Sequence, residues 1–384
     1  MKIAFDAQPL LSGTKSGVGF HEDGLIKVLL ERYPENWYNF EFFAFKNWKE
    51  KKQSLSAYGN HNTDLVACKW FPGSLYRITS AFLPLPHRIF FNEEKQVTHF
   101  FNYFVPPFVK GKKVVTIHDM AFQVFPETVR KKTLFFLKRT IKNSIRRADH
   151  IVTVSEFSKQ EIMRFYKVPE KKISVVPNGV DFERFHLKNS VHNLKQVREK
   201  YNIQGDYFLY LGTLEPRKNL VRLLLAYAMA NGENKGFPRL VLAGGKGWMY
   251  EEIFQKVKEL GLEGQVIFTG YVEDEDVAAL MRGADVFCFP SLYEGFGMPV
   301  IEAMACGTPV LTSNSSSLRE IAEGAAVLVD ETSVDEIKKG LIMLHKEEML
   351  RLELSQKGVQ RASEYSWEQA GERLRKIYME LVKE

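Results

Sequence analysis

The 384-residue sequence contains little cysteine and no long hydrophobic run. Its three cysteines, Cys68, Cys288 and Cys306, are far apart and form no CxxC pair, which excludes a disulfide framework and a cysteine-rich zinc site. No segment offers about 18 consecutive apolar residues, so no membrane-spanning helix is predicted. The first ten residues, MKIAFDAQPL, lack the apolar core of a secretion signal. We therefore expect a soluble protein located in the cytoplasm.

The composition is that of an ordinary folded protein, with 45% apolar and 26% charged residues. It excludes disordered, collagen-like and coiled-coil proteins. At roughly 150 residues per domain, the length favours two domains, each large enough to bury its own core.

Short apolar segments alternate with helical patterns along the whole chain. Several of these segments are continuously apolar, as strands buried on both faces are. The predicted strands lie at 2–5, 40–45, 97–100, 113–117, 150–154, 173–176, 207–211, 239–243, 266–269, 286–289, 309–312 and 326–328. This alternation predicts an α/β fold with two Rossmann-like, doubly wound domains, whose strand ends face each other across a cleft.

The series of strands is interrupted by Pro177-Asn178-Gly179-Val180-Asp181, where we place the boundary between the domains. The predicted domains lie at 1–180 and 181–365, and a final helix at 366–384 follows the second sheet.

Charge is distributed unevenly between the two halves. Residues 1–190 carry 30 basic and 18 acidic residues, whereas the remainder carries 23 and 29. Eight of the basic residues lie at 130–147, uninterrupted by any acid, in a segment with apolar residues at helical spacing (Leu134, Leu137, Ile141 and Ile145). One interpretation is a surface helix whose apolar stripe packs on its own domain. The other is peripheral contact with an anionic membrane or an acidic acceptor. No nucleic-acid-binding motif accompanies the charge.

The strongest motif is the glycine-rich run SLYEGFGMPVIEAMACGTPV at 291–310. It follows a predicted strand and should open a helix near Met298, where Pro299 suits the first turn. The free amides of such a turn favour a phosphate. Glu294 and Glu302 can accept hydrogen bonds from sugar and ribose hydroxyls. Two glutamates at a helix start are ordinary surface acids when isolated, but this glycine turn favours a ligand site.

A second motif, GTLEPRKN at 212–219, follows the strand at 207–211. It should project Arg217 and Lys218 from the carboxyl edge of the sheet toward the same phosphate, where charge-assisted hydrogen bonds contribute about 1.5–3 kcal/mol each. The alternative is a solvated basic turn. Gly244 in a glycine turn, and Tyr271 and Val272 after a further strand, are weaker candidates for ligand contacts.

Acidic residues at 273–276 resemble a metal-binding DxD pair. Asp274 and Asp276 could supply oxygen ligands to a divalent cation. They also directly precede a helical pattern, where acids cap the helix and complement its dipole. We favour the helix-start interpretation and expect no bound metal.

In the first domain, a glycine-containing loop at 12–19 follows the first strand, but its sequence does not match the dinucleotide-binding GxGxxG. Gly17 is expected either to border the cleft or to belong to an ordinary strand–helix connection. His118 ends a buried strand, and it can exchange hydrogen bonds with a sugar hydroxyl or serve as a structural histidine.

The runs EGFGMPVIEAMACGTPV from Glu294, EPRKN at 215–219, PNGVD at 177–181 and IHD at 117–119 together resemble the retaining GT-B glycosyltransferases of family 4. The order and spacing agree along nearly the whole chain. The resemblance implies an N-terminal acceptor domain at 1–180, a C-terminal nucleotide-sugar donor domain at 181–365, and a final helix at 366–384 that returns to the first domain. The resemblance implies transfer of a hexose from a nucleoside diphosphate to a hydroxyl group, with retention and without a metal or other cofactor. GDP-mannose is the first choice of donor and a UDP-hexose the second.

The resemblance also implies a role for individual residues. Arg217 and Lys218 would hold the diphosphate, Glu294 the sugar hydroxyls, and His118 would stabilise the transition state, with Gly17 nearby. The remaining donor-binding residues would be Gly244, Tyr271, Val272, Gly295, Phe296, Gly297, Met298, Val300 and Glu302.

The expected partners are the nucleotide sugar and a glycan or lipid-linked acceptor of polysaccharide or glycolipid biosynthesis. One expected location in the cytoplasm is the inner face of the plasma membrane. Three alternatives stay open: a nucleotide-sugar epimerase, a non-catalytic sugar-nucleotide binding protein and a nicotinamide dehydrogenase.

Overall fold

The computed structural model describes residues 1–11, 17–59, 62–83, 85–187 and 191–383, without the side chains of 191–193. The described chain divides into two compact units. The first comprises Met1–Val124, Val129–Gly179 and Trp367–Glu384, and the second comprises Phe125–Thr128 and Val180–Ser366. The interruption at 177–181 therefore coincides with the passage of the chain from one unit to the other.

The first unit contains a parallel sheet of seven described strands. They are β1 (Lys2–Asp6), β2 (Trp37–Phe43), β3 (Thr63–Cys68), β4 (Val97–Phe100), β5 (Lys112–Thr116), β6 (His150–Thr153) and β7 (Ile173–Val175). Their spatial order is β3-β2-β1-β4-β5-β6-β7. The order reverses between β1 and β4, and such a reversal is where open parallel sheets bind ligands.

The second unit repeats this topology with six described strands. They are β8 (Tyr207–Leu211), β9 (Arg239–Ala243), β10 (Val266–Gly270), β11 (Val286–Phe289), β12 (Val310–Ser313) and β13 (Val327–Val329). The order β10-β9-β8-β11-β12-β13 places the reversal between β8 and β11. The predicted α/β class with two Rossmann-like sheets is confirmed.

Helices connect successive strands and cover the sheets. Those described are α1 (Gly17–Arg32), α2 (Trp48–Ser54), α3 (Gly73–Phe82), α4 (Ala121–Val124), α5 (Lys131–Arg147), α6 (Glu156–Tyr166), α7 (Val191–Lys200), α8 (Leu220–Glu233), α9 (Glu251–Glu259), α10 (Asp274–Arg282), α11 (Met298–Ala305), α12 (Ser316–Ala322), α13 (Val334–Lys346), α14 (Glu348–Ala362) and α15 (Trp367–Lys383). None of the described helices is long and apolar enough to cross a membrane.

All twelve predicted strands are present, but the edge strand β3 was not predicted from the sequence. It pairs with β2 alone, and most of its side chains are partly exposed. It therefore lacks the continuous apolar character that identified the inner strands.

The basic helix α5 buries the apolar stripe expected of it. Leu137, Ile141 and Ile145 pack in a core cluster with β5 and β6 residues such as Val115 and Ile151. The helix-packing interpretation is therefore correct for the apolar side, while six of its basic side chains remain exposed (Lys131, Lys132, Lys138, Arg139, Lys142 and Arg146).

The last helix, α15, packs within the first unit although it follows the second sheet in sequence. Its residues Leu374 and Tyr378 are fully buried in the cluster that contains Phe5 and Tyr38. The Tyr378 hydroxyl lies 2.5 Å from Nδ1 of His99 on β4. The fold of the first unit thus includes the C-terminal residues of the chain.

We expect Leu374→Ala to lower the free energy of unfolding by about 2–5 kcal/mol, because it opens a cavity in a closely packed core. Urea titration followed by circular dichroism measures the change. Glu372→Ala on the exposed side of the same helix is the control and should change stability little. Equal effects of the two substitutions would contradict the packing role of α15.

Candidate functional site

The centre of the candidate site is an ion-pair cluster at the carboxyl ends of β8 and β11. Lys218 Nζ donates to Oε1 of Glu294 at 2.6 Å, and Arg217 Nη1 lies 2.9 Å from Oε2 of the same carboxylate. Arg217 also donates to the Tyr293 carbonyl at 2.6 Å and to the Glu215 carboxylate at 2.7 Å. The structure therefore brings together three of the predicted site residues, from two loops that are far apart in the sequence.

The fold of the first loop explains how these cations are presented. Pro216–Lys218 forms a turn of 3-10 helix in the loop after β8, and Asn219 adopts a left-handed conformation before α8 begins. The Asn219 carboxamide donates to the carbonyls of Pro290 and Glu331. The basic pair is thereby fixed against the loop that follows β11.

Burial and charge act in opposite directions on this cluster. Burial alone would raise the pKa of Glu294, but the adjacent charges of Arg217 and Lys218 lower it to about 2. Burial lowers the pKa of Lys218, and the Glu294 carboxylate opposes that change. Glu294 is therefore ionised at neutral pH, and with Glu215 the cluster holds two positive and two negative charges.

The predicted helix start at Met298 is confirmed. Gly297 has φ of 112°, and a Cβ there would lie 2.7 Å from Leu318 Cδ2, so glycine is required at this turn. The Val300 amide donates to the Gly297 carbonyl at 2.9 Å. The amides of Gly297 and Met298 have no backbone acceptor in the described chain. Gly295 and Phe296 are buried just before the turn.

Glu302 lies one turn further along α11 in a second charged cluster. Burial raises its pKa to about 7, the charge of Arg184 opposes the shift, and Asp274 and Asp181 add to it. Arg184 donates to the Asp274 backbone carbonyl and its Nε is buried without a partner. A carboxylate with these neighbours can accept hydrogen bonds from ligand hydroxyls.

The residues predicted to border a base differ in exposure. Tyr271 is 56% exposed at the end of β10, whereas Val272 is 5% exposed. Only the Tyr271 side chain is therefore available to a ligand, and Val272 can contribute its backbone.

Protein packing accounts for Gly244. A Cβ there would lie 2.0 Å from the Gly212 carbonyl oxygen, because the turns after β8 and β9 approach closely. Its amide donates to the Gly270 carbonyl at 2.8 Å. This packing explains the glycine without any ligand, so a ligand contact at Gly244 stays a prediction.

In the first unit, His118 lies at the end of β5 and is partly buried. Its Nε2 lies 2.7 Å from the Phe101 carbonyl and donates to it, and burial lowers its pKa. The ring is therefore neutral near pH 7 and leaves the Nδ1 lone pair as a hydrogen-bond acceptor. Of the predicted glycine loop, residues 12–16 lie outside the described residues, and Gly17 is the first residue of α1.

Sequence reasoning missed His21, which is 1% exposed on α1. Its Nδ1 lies 2.5 Å from Oδ1 of Asn178, and its ring packs edge-on against His118 with centroids 5.0 Å apart. Burial lowers the pKa of His21 to about 3, so it is a neutral support for His118. The sequence shows Asn178 as part of the PNGVD motif, but it does not show that His21 is the partner of this asparagine.

The acidic run at 273–276 lies at the start of α10, as predicted. Asp276 has a further role, because its carboxylate accepts from Lys200 at 2.6 Å and from Tyr201 at 2.8 Å. These contacts attach α7 to α10. Across the described chain, no group of three or more histidine, cysteine or acidic residues is arranged to hold a metal.

Comparisons with known proteins identify the family. Residues 193–361 match the model of glycosyl transferases group 1, and residues 29–184 match that of glycosyltransferase family 4. The O-antigen chain mannosyltransferase B of Escherichia coli is 35% identical over 269 residues, which are 70% of each chain. The chain belongs to the family 4, group 1 glycosyltransferases. It is a GT-B glycosyltransferase.

Two other similar proteins extend this result. The serotype-specific mannosyltransferase WbdA of Escherichia coli is 29% identical to this glycosyltransferase. The aligned region covers 58% of this chain and 27% of WbdA. The solved structure of Anabaena Alr3699/HepE in complex with UDP and glucose superimposes with a TM-score of 0.72 at 18% identity, over 99% of this chain and 100% of that one. This structural similarity supports the GT-B fold.

For this glycosyltransferase we expect Glu294→Gln to be destabilising at neutral pH, because it leaves two buried cations without their carboxylate. The pKa of about 2 lies below the ordinary 4.5. Ionised Glu294 therefore stabilises the fold by about 3 kcal/mol above pH ~5, and this contribution is lost as the pH falls from 4.5 toward 2.

Urea unfolding of wild type and Glu294→Gln at pH ~7 and ~3 measures this dependence. The difference in free energy of unfolding between the two proteins should be smaller at the lower pH. Glu323→Gln removes an exposed partner of Arg319 and serves as the control, with little effect at either pH. A pH-independent difference for Glu294→Gln would contradict the ion-pair account.

Proposed function

We propose that this glycosyltransferase moves a hexose, with mannose as first choice, from a nucleoside-diphosphate sugar to a hydroxyl of a glycan or lipid-linked acceptor. The reaction proceeds with retention and without a bound metal, in polysaccharide or glycolipid biosynthesis. The mannosyltransferase names of the two Escherichia coli relatives support mannose and polysaccharide. GDP-mannose is the preferred donor and a UDP-hexose the alternative.

The observation that carries the proposal is the Arg217–Lys218–Glu294 cluster directly before the start of α11. Two cations with fixed geometry and the unpaired amides of Gly297 and Met298 suit a diphosphate, whose negative charge grows as it departs. The Glu294 carboxylate can accept hydrogen bonds from the sugar while it orients both cations. Glu302 on α11 suits the ribose hydroxyls.

In the proposed step, the acceptor oxygen forms a bond to the anomeric carbon on the face from which the diphosphate leaves. The bond between that carbon and the phosphate oxygen breaks with its electron pair, and the departing phosphate takes the acceptor proton. Neutral His118 can accept a hydrogen bond from a sugar hydroxyl through Nδ1. It therefore contributes orientation rather than charge.

Incubation with a panel of nucleotide sugars, followed by mass spectrometry, tests the donor. We expect transfer from GDP-mannose with acceptor, slow nucleotide release without it, and little loss of activity on addition of EDTA. A 2-epimerised sugar as product would instead identify an epimerase, and turnover that requires an added divalent ion would contradict metal independence.

Arg217→Ala should reduce kcat by about 100-fold or more, because a donor to the leaving phosphate is lost. The circular dichroism spectrum should be retained. Lys235→Ala, an exposed lysine of the same unit, is the matched control. Near-normal turnover of Arg217→Ala would remove that residue from the site.

We also propose that the glycosyltransferase associates peripherally with anionic membranes through α5. The exposed lysines and arginines of this helix lie beside apolar side chains that are also exposed, namely Phe135 (61%), Phe82 (54%), Leu83 (60%) and Ile78 (57%). Phe135 and Phe82 are in contact, with ring centroids 6.1 Å apart. Basic charge next to exposed aromatic and aliphatic groups is typical of interfacial binding.

Cosedimentation with vesicles that contain anionic lipid tests this association. Replacement of Lys131, Lys138 and Lys142 by Gln should cost about 1 kcal/mol of binding per lysine. Replacement of Lys46, Lys49 and Lys52, which are exposed elsewhere in the same unit, changes charge equally and should cost less. Unchanged binding of the first triple variant would refute the proposal.

A further inference from the structure

A segment of four residues, Phe125–Thr128, belongs to the second unit although the residues before and after it in the sequence belong to the first. The segment follows α4 directly, and its last three residues form a turn of 3-10 helix. Neither the sequence motifs nor the proposed donor contacts account for this departure of the chain from the first unit. The side-chain contacts of the segment indicate a role near the ion-pair cluster.

The ring of Phe125 packs edge-on against the ring of Tyr293. The two ring centroids lie 5.9 Å apart and the ring planes are inclined by 62°. This geometry falls in the range of about 4.5–7 Å over which aromatic pairs attract each other. Tyr293 is 3% exposed, whereas Phe125 is partly buried. The Phe125 ring therefore helps to hold the Tyr293 side chain in place.

Tyr293 in turn holds one of the two cations of the cluster. Its backbone carbonyl accepts from Arg217 Nη1 at 2.6 Å, and the same nitrogen lies 2.9 Å from Oε2 of Glu294. The Leu292 amide donates to the Arg217 carbonyl at 2.9 Å. The residues on both sides of Tyr293 therefore also contact Arg217. A shift of the Tyr293 backbone would move the guanidinium group away from the Glu294 carboxylate.

The local structure around Phe125 fixes the direction of its ring. The amide and the hydroxyl of Thr128 both donate to the Phe125 carbonyl, at 3.0 and 2.8 Å. Pro126 follows directly and restricts the backbone of the residue before it. The preceding helix α4 buries the side chains of Ala121 and Phe122. Phe125 is therefore presented from an ordered turn rather than from an open loop.

We propose that Phe125 is a positioning residue of the donor site, which acts through Tyr293 to hold Arg217 in the orientation that a leaving diphosphate requires. The inference rests on the proposed transferase function, in which Arg217 binds the diphosphate. Phe125 contributes no charge and no hydrogen bond to this step. Its removal should therefore affect turnover only through the placement of the Arg217 guanidinium group.

Substitution of Phe125 tests the proposal with the donor that the nucleotide-sugar panel identifies. Phe125→Ala should lower kcat/KM for this donor about tenfold, the equivalent of ~1.4 kcal/mol. Phe125→Tyr keeps the ring and should retain the wild-type value. Phe45→Ala removes a phenylalanine that is 49% exposed elsewhere in the chain and is the matched control. Unchanged kcat/KM in Phe125→Ala, or an equal loss in Phe45→Ala, would overturn the proposal.

If Phe125→Ala does not fold, as judged by circular dichroism, Phe125→Leu takes its place. Leucine keeps an apolar side chain but removes the ring that contacts Tyr293. The same loss of kcat/KM is then expected, and a wild-type value would overturn the proposal.

A double-mutant cycle with Arg217 distinguishes positioning from general packing. In the Arg217→Ala background, Phe125→Ala should lower kcat/KM by no more than about twofold, because no guanidinium group remains to be misplaced. A loss of equal size in both backgrounds would mean that Phe125 acts independently of Arg217, which contradicts the proposal.

Nuclear magnetic resonance of the arginine side chains examines the contact without any turnover. The Arg217 guanidinium protons should exchange slowly in wild type, because Tyr293, Glu294 and Glu215 hold this group. Arg217→Lys assigns the signals. Phe125→Ala should shift or broaden them, whereas Phe45→Ala should not.

This measurement also separates failure of the proposal from failure of the proposed function. If wild type transfers sugar from no donor, the transferase function fails, and the Arg217 signals alone decide whether Phe125 positions this arginine. Identical Arg217 signals in wild type and Phe125→Ala would overturn the positioning role whether or not the protein is active.

Discussion

The second unit depends on one interaction, in which the buried Glu294 carboxylate binds Lys218 and Arg217 at the same time. Each of its two oxygens accepts from a different cation. Because the partners are 76 residues apart, this carboxylate joins the loop after β8 to the loop after β11. Desolvation of three charges is costly, and such a cluster persists only where its geometry satisfies them. The price is consistent with a site that must hold cations in place before the substrate arrives.

Two sheets of one topology have acquired different chemistry at corresponding places. In the second unit, the reversal of strand order between β8 and β11 carries the paired cations and the start of a helix. In the first unit, the reversal between β1 and β4 carries aromatic rings and incompletely bonded polar groups. The former suits the proposed diphosphate. The fold supplies the location, and the residues that follow each strand determine the ligand.

The inner strands could be predicted because burial on both faces leaves a direct trace in the sequence. Strand 286–289 has the bounds that its apolar run indicates, whereas β3 was missed because a half-exposed edge strand carries no such trace. The helix start at Met298 was predictable from local glycine and proline chemistry. The ion pairs of Glu294, the contact of His21 with Asn178 and the attachment of Asp276 to α7 were not, because they depend on side chains that tertiary folding brings together.

The balance of charge in the cluster bears on how an anionic substrate is recognised. Arg217 and Lys218 are matched by Glu294 and Glu215, so net positive charge contributes little. For the proposed diphosphate, affinity then depends on the placement of the donor groups of the cluster and of the amides at the start of α11, both fixed in advance. Because these donors need no reorganisation, in the proposed transfer they would stabilise the growing charge of the leaving group more effectively than mobile surface lysines. Glu294 therefore contributes more by orienting the two cations than by its charge.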